Sequence, residues 1–153
     1  MRLQRCTHSI DYLMLAQTAV CQRKRRDFTV LLVDDQPNVR VGLRMLLQLE
    51  ADNTVVGEAG NGAEAEALAR SLGPDLVIMD VEMPGIDGIA AARRCIDLQP
   101  RCIVIILSIH NRPEVRERAM AAGAWAFVEK GKPQELRDTF RQALGVLRSN
   151  TFA

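Results

Sequence analysis

Short aliphatic runs, several of them apolar at consecutive positions rather than at every second one, constrain this chain more than any other feature. They are Phe28–Val33, Thr54–Ala59, Asp75–Met79, Cys102–Leu107 and Ala124–Val128. A strand covered on one face alternates apolar and polar residues, whereas a strand covered on both faces has no polar side to present. The stretches between the runs have helical spacing. Pro37–Glu50 opens with a proline suited to a helix start and carries Val41, Met45, Leu46 and Leu49 at helical spacing. Gly62–Leu72 is rich in Ala and Glu and stops at Gly73-Pro74; Asp87–Leu98 stops before Pro100; Pro113–Ala122 stops at Gly123; Pro133–Leu147 closes the series. Five strands alternating with five helices predict an α/β fold, a doubly wound five-stranded parallel sheet with right-handed crossovers.

The 153 residues suit one domain, and a 48% hydrophobic content is enough for one core, which must be aliphatic because aromatics are only 4%. A net charge of +1 by itself points to no nucleic-acid or membrane partner. The charge is unevenly spread. Residues 1–27 hold six Lys/Arg and two Asp/Glu, and the remainder is net negative at −3. Position 27 is thus an expected boundary: a basic arm over 1–27, one domain over 28–148, and a tail over 149–153. The arm is expected to be disordered, or a short helix with Ile10, Leu13, Met14, Gln17, Val20 and Cys21 on one face. Its Arg23–Arg26 run reads as a solvated basic linker. The cysteines Cys6, Cys21, Cys95 and Cys102 form no C-x-x-C pair and no zinc spacing, as expected of reduced thiols in a cytoplasmic protein. No run approaches a membrane span, and Ile10–Cys21 lacks the order of an export signal.

Ligands of a doubly wound sheet bind at the carboxyl ends of its strands, near the point where strand order reverses. The first run ends in Asp34-Asp35, the third in Asp80, the fourth in Ser108, and the fifth runs into Glu129-Lys130. One sheet edge is therefore expected to gather three carboxylates, a hydroxyl and an ammonium. Three close carboxylates repel unless a cation joins them, and a hard divalent ion such as Mg²⁺ suits oxygen ligands. Asp80 is a competent nucleophile toward phosphorus, Mg²⁺ and Lys130 can neutralise charge on a transferring phosphoryl group, and Ser108 can hydrogen-bond it. Taken singly, each residue has a plainer role. Asp34 or Asp35 could cap the helix near Pro37, Ser108 could start a turn, and Lys130 could be solvated.

As a set, these residues resemble the receiver domains of two-component response regulators, over about residues 28–148. The resemblance rests on VLLVDD (Val30–Asp35), LVIMDVEMPGIDG (Leu76–Gly88), IILSIH (Ile105–His110) and GAWAFVEK (Gly123–Lys130). Successive separations of 45, 28 and 22 residues between Asp35, Asp80, Ser108 and Lys130 are similar to the family's. The Leu107–Asn111 stretch and the ending of the fifth strand look most like FixJ/NarL-type receivers. The resemblance implies a CheY-like, flavodoxin-type (βα)5 fold with Asp80 as phosphoacceptor. It implies Asp35 as a direct Mg²⁺ ligand, Asp34 as a direct or water-mediated one, and the backbone carbonyl of Glu82 as another. Lys130 would pair with the phosphoryl group. Ser108 and Phe127 would be the switch pair, with Phe127 turning inward as Ser108 moves toward the phosphoryl group. Pro84 and Gly85 would shape the loop behind the acceptor. It also implies a sensor histidine kinase or phosphotransfer protein as donor, and a downstream protein target or a homodimer through helix 4, strand 5 and helix 5.

The sequence departs from the family in three places. Gly131 follows Lys130 where proline is frequent, Ile109 follows the switch serine where some receivers have a small residue, and Phe127 lacks a tyrosine hydroxyl. Trp125 is expected to be packing. No segment in the sequence given reads as a DNA-binding output domain. It is therefore expected to be a stand-alone receiver or the receiver part of a truncated transcriptional regulator, without specific DNA binding of its own. A haloacid-dehalogenase-like phosphatase would need a second Asp two residues past an Asp nucleophile at the end of the first strand. A flavodoxin-like cofactor binder would need a Ser/Thr/Gly-rich loop there. A phosphorylation-independent pseudo-receiver usually lacks part of a set that is whole here.

Overall fold

Residues 26–151 are described by the structure, a computed structural model. The expectations for residues 1–27 therefore lie, but for the last two positions, outside the described residues, as do Cys6 and Cys21. Among the described residues five strands run in chain order: β1 (Phe28–Val33), β2 (Asn53–Ala59), β3 (Leu76–Asp80), β4 (Ile103–Ser108) and β5 (Ala126–Glu129). The helices that follow them are α1 (Pro37–Leu47), α2 (Gly62–Leu72), α3 (Gly88–Leu98), α4 (Pro113–Ala121) and α5 (Pro133–Thr151). All the strand pairs are parallel, in the order β2-β1-β3-β4-β5. Strand order reverses between β1 and β3, which opens a crevice over their carboxyl ends.

The consecutive apolar runs are explained by a helix layer on each face. Leu31, Val33, Val77, Met79, Val104 and Ile106 face α2, α3 and α4, whose Ala65, Ala69, Ala91, Ala92, Cys95 and Ala119 pack against them. Val30, Leu32, Leu76, Ile78, Ile103 and Ile105 face the other way, onto Leu43 and Leu47 of α1 and Leu136, Phe140 and Leu144 of α5. Phe140 is wholly buried; truncating it to alanine costs about 3–5 kcal/mol. Small alanines of α2 and α3 pack on one face of the sheet, whereas leucines and one phenylalanine from α1 and α5 fill the other. Trp125 is half-buried against this second cluster, the packing role expected of it.

Two expectations change. Val41, Met45 and Leu49 are exposed, at 54%, 62% and 69%, and of the four residues that marked the helix only Leu46 packs against the core. The helix carries two apolar stripes, and the one containing Val39, Leu43 and Leu47 docks on the sheet. The last helix also continues to Thr151, through part of the expected tail. Arg148 binds Asp52 at 2.5 Å, and the Thr151 hydroxyl donates to the Leu147 carbonyl, which extends the final turn. Cys95 and Cys102 are free thiols, and burial pushes them up to about 11 and about 12, so neither is a thiolate near neutrality. No helix among the described residues is long and apolar enough to cross a membrane.

Candidate functional site

Backbone register brings the site together. Asp34 continues β1, its amide bonded to the Ala59 carbonyl of β2. Asp80 is the last residue of β3, paired with Leu107 of β4, and Ser108 pairs with Glu129 of β5. The loop after β3 folds back so tightly that Gly88 starts α3 against the acceptor strand. A Cβ at Gly88 would lie 1.9 Å from the Asp80 carbonyl oxygen, so only glycine fits. Sequence reasoning had singled out Pro84 and Gly85 in this loop. Gly85 does take a positive φ of 84°, but Gly88 carries the steric requirement. Its signal was present in the same M-P-G-I-D-G stretch.

Asp34 and Asp80 are almost fully buried, at 0% and 1% exposed, and Asp35 is more open. One carboxylate oxygen from each of the three lies within 4.8 Å of the others. Lys130 reaches in from the end of β5, its Nζ 2.6 Å from Asp34 Oδ2 and 3.0 Å from Asp80 Oδ2. The Asp34 Oδ1 accepts from the Gln36 amide at 2.9 Å, and Asp80 Oδ1 accepts from the Glu82 amide at 3.2 Å. Neither aspartate of the Asp34-Asp35 pair caps α1, because Gln36 occupies that position without a side-chain cap bond. The plainer role considered for that pair is therefore not the one it plays.

Burial raises the Asp80 carboxyl above its ordinary value, against the hydrogen bonds from Lys130 and the Glu82 amide. For Lys130, burial alone would favour the neutral amine, but hydrogen bonds to Asp34 and Asp80 outweigh it and hold the ammonium above its usual range. Among the described residues the three carboxylates therefore have one bonded cation. Hard oxygen donors converging with a charge deficit fit Mg²⁺.

The remaining expected residues lie around this cluster. Ser108 is buried, but its hydroxyl donates to the His110 carbonyl at 3.0 Å and accepts from the His110 amide at 3.1 Å, turned onto its own loop. Phe127 pairs with Ile106 and is already buried in the α2–α3–α4 core, with the Arg116 guanidinium 4.8 Å above its ring centre. The ring occupies an inner position in this structure, held by packing and by the cation above it. Gly131 takes the turn after Lys130 at φ 86°, the freedom its residue type offers. Ile109 is half exposed beside the site.

Arg40 and Glu58 were not found from the sequence. Arg40 Nη1 donates to the Asp34 carbonyl at 2.6 Å and its Nε to Glu58 Oε2 at 3.0 Å. The partners are far apart in sequence and no local pattern links them.

The sequence model of the response regulator receiver domain matches residues 30–141. A protein-glutamate methylesterase/protein-glutamine glutaminase of Methanospirillum hungatei is 44% identical over 103 residues, 66% of this chain and 29% of that protein. The nitrate/nitrite response regulator protein NarL of Escherichia coli K12 is 35% identical over 116 residues, 75% of this chain and 54% of that protein. The chain thus spans about half, or less, of the length of these curated relatives. A solved two-component response regulator of the LuxR family from Aurantimonas superposes with a TM-score of 0.74 at 34% identity, over 78% of this chain and 86% of that one. With an acidic pocket at the switch point of a 2-1-3-4-5 sheet and a match over most of its length, the chain belongs to the response regulator receiver domains of two-component systems.

Proposed function

We propose that this protein is a cytoplasmic receiver that takes a phosphoryl group onto Asp80 from a sensor histidine kinase or phosphotransfer protein, with Mg²⁺ held by Asp34, Asp35, Asp80 and the Glu82 carbonyl. The observation that carries the reading is the buried Asp80 carboxylate 3.0 Å from Lys130, inside a cluster of three carboxylates with a single ammonium. An Asp80 oxygen forms the new bond to phosphorus. The bond from phosphorus to the donor's imidazole nitrogen breaks, and that nitrogen keeps the electron pair. Bound Mg²⁺ would supply positive charge to the phosphoryl oxygens. Lys130 stabilises the same charge from the other side and keeps Asp34 and Asp80 apart from direct repulsion. The domain acts as a signalling acceptor and not as an enzyme acting on separate substrates.

The phosphoryl group adds about 1.5–2 negative charges and new acceptor oxygens. The Ser108 hydroxyl can donate to one of them only by giving up its bond to the His110 carbonyl, which pulls on the β4–α4 loop. Phe127 of β5 lies beneath Arg116 of that loop's helix, so the surface of α4, β5 and α5 is the one that changes for a protein target or a second copy. Only one residue of α4, Ala119, is buried, which leaves this helix the least anchored of the five.

Incubation with Mg²⁺ and acetyl phosphate, followed by intact mass, tests the reading. A phosphoryl-sized gain is expected in the wild type and in neither the magnesium-free sample nor Asp80→Ala. Absence of the gain with acetyl phosphate and with a histidine kinase would favour a phosphorylation-independent binding module of the same fold.

A further inference from the structure

Lys130 and the Gln36 amide fix the Asp34 carboxylate, whereas the Asp35 side chain makes no hydrogen bond or ion pair among the described residues. Its direction is set by the backbone alone. The peptide that joins Asp34 to Asp35 carries the Asp34 carbonyl, and this is the carbonyl to which Arg40 Nη1 donates at 2.6 Å. The same guanidinium donates to Glu58 on β2 through Nε at 3.0 Å, and Arg44, one turn farther along α1, also binds Glu58. Arg40 is mostly buried, at 18% side-chain exposure, so its fork is held by surrounding structure. Rotation of the gripped peptide would swing the Asp35 side chain away from Asp34 and Asp80.

We infer that Arg40 is a positioning residue: by pinning the Asp34 carbonyl to α1 and β2, it holds Asp35 where its oxygen joins the metal-binding cluster. This rests on the Mg²⁺ site proposed above. A lysine would keep the charge, but its single ammonium on a flexible stem lacks the planar fork that holds the carbonyl and Glu58 in fixed relation. Electrostatics alone makes the opposite prediction. Arg40 is a cation beside a cation site, so removing it should tighten Mg²⁺ binding if charge were its only role.

Calorimetric titration of Mg²⁺ into the unphosphorylated full chain decides between these. Arg40→Met and Arg40→Lys are each expected to weaken affinity by about tenfold, the scale seen when a partner of a metal ligand is lost. Arg44→Met disturbs the same glutamate without touching Asp34 and should bind like the wild type. Labelling of the Arg40 variants by acetyl phosphate should return toward the wild-type level as Mg²⁺ is raised. Unchanged or tighter Mg²⁺ binding by a folded Arg40→Met overturns the inference while leaving the site intact. If Arg40→Met does not fold, Arg40→Lys binding like the wild type overturns it equally. A wild type that takes up no Mg²⁺ removes the metal-site reading and this inference with it.

Discussion

At the amino end of the sheet, Glu50 accepts hydrogen bonds from both Arg137 and Arg141, Asp52 binds Arg148, and Asp75 accepts from the Thr29 amide at 2.8 Å and its hydroxyl at 3.0 Å. At the carboxyl end, Asp34, Asp35 and Asp80 cluster, and among the described residues Lys130 is the one cation bonded to their carboxylates. The residue types are alike, yet one end is electrostatically complete and the other is short of cations. The amino-end network ties α5 to the turn between α1 and β2, where Asp52 sits at a φ of 63° that few non-glycine residues adopt. It serves the fold. The carboxyl end keeps a deficit of positive charge that a divalent ion would fill. The titration of the two ends differs in the same sense. The hydrogen bond from Arg141, with Arg137 behind it, holds Glu50 below its ordinary value despite burial, while burial raises Asp80.

Lys130→Met should break this contrast most severely. Removing the only ammonium of the cluster is expected to reduce phosphoryl uptake by about 100- to 1,000-fold, the scale of a lost charge-stabilising group. Labelling rates with acetyl phosphate at saturating Mg²⁺ measure it. Near-normal labelling would mean that the metal alone neutralises the transferring group. Next in size is Glu50→Gln at the opposite end. It should cost about 2 kcal/mol, the range for hydrogen bonds to charged groups, seen as a lower urea midpoint at unchanged slope. Its phosphoryl uptake should equal the wild type's; a fall would show that the two ends are coupled.

The pH dependence sharpens the comparison because the signs oppose. Asp80 has a folded value above its unfolded one, so the folded state holds the proton more tightly and stability falls as pH rises through that folded value. Glu50 and Glu58 have folded values below 4.5; their contribution is present above 4.5 and is lost as pH falls through the folded values. Asp80→Asn should therefore stabilise the magnesium-free protein at neutral pH, because it removes a buried charge. Lys130 keeps Asp34 as a partner in that variant. Thermal melts at pH 7 with and without Mg²⁺ check it, and the advantage should shrink when the ion neutralises the wild-type cluster. A variant less stable than the wild type without Mg²⁺ would mean that the Asp80–Lys130 pair outweighs the burial of the carboxylate.

How much of this was legible follows from what each element needs. Two-sided burial leaves a mark in one dimension, so all five strands could be read, and their order along the chain brought Asp34, Asp35, Asp80 and Lys130 to one edge. Three strand ends were read one residue early: Asp80, Ser108 and Glu129 lie within strands because their backbone groups still find partners in the neighbouring strand. The inward face of α1 was not legible, since the helix has two apolar stripes and only packing against Phe140 and its neighbours selects the one with Leu43 and Leu47. Arg40 and Glu58 were illegible for another reason. They are 18 residues apart and meet only because β2 pairs beside β1.

The smallest expected effect concerns how a signal leaves the incomplete end. Arg116 covers Phe127 with its guanidinium and donates to Asn111 Oδ1 at 3.1 Å, bridging the β4–α4 loop to the buried ring. The Ser108 hydroxyl is anchored to the same loop through His110. A shift of Ser108 toward a phosphoryl group would therefore reach Phe127 through Arg116 and not through a free rotation of the ring. Arg116 is exposed, and an exposed cation over an aromatic ring contributes about 0.5–1 kcal/mol. Arg116→Met should thus leave the urea midpoint almost unchanged and phosphoryl uptake intact. In the unphosphorylated protein it should broaden or shift the Phe127 ring resonances, as the ring gains freedom under α4. Addition of beryllofluoride and Mg²⁺ to that variant should move the Phe127 resonances less than in the wild type. An equal shift in both would place the route from Ser108 to the α4 surface in the backbone of the loop and leave Arg116 as no more than a cover for the ring.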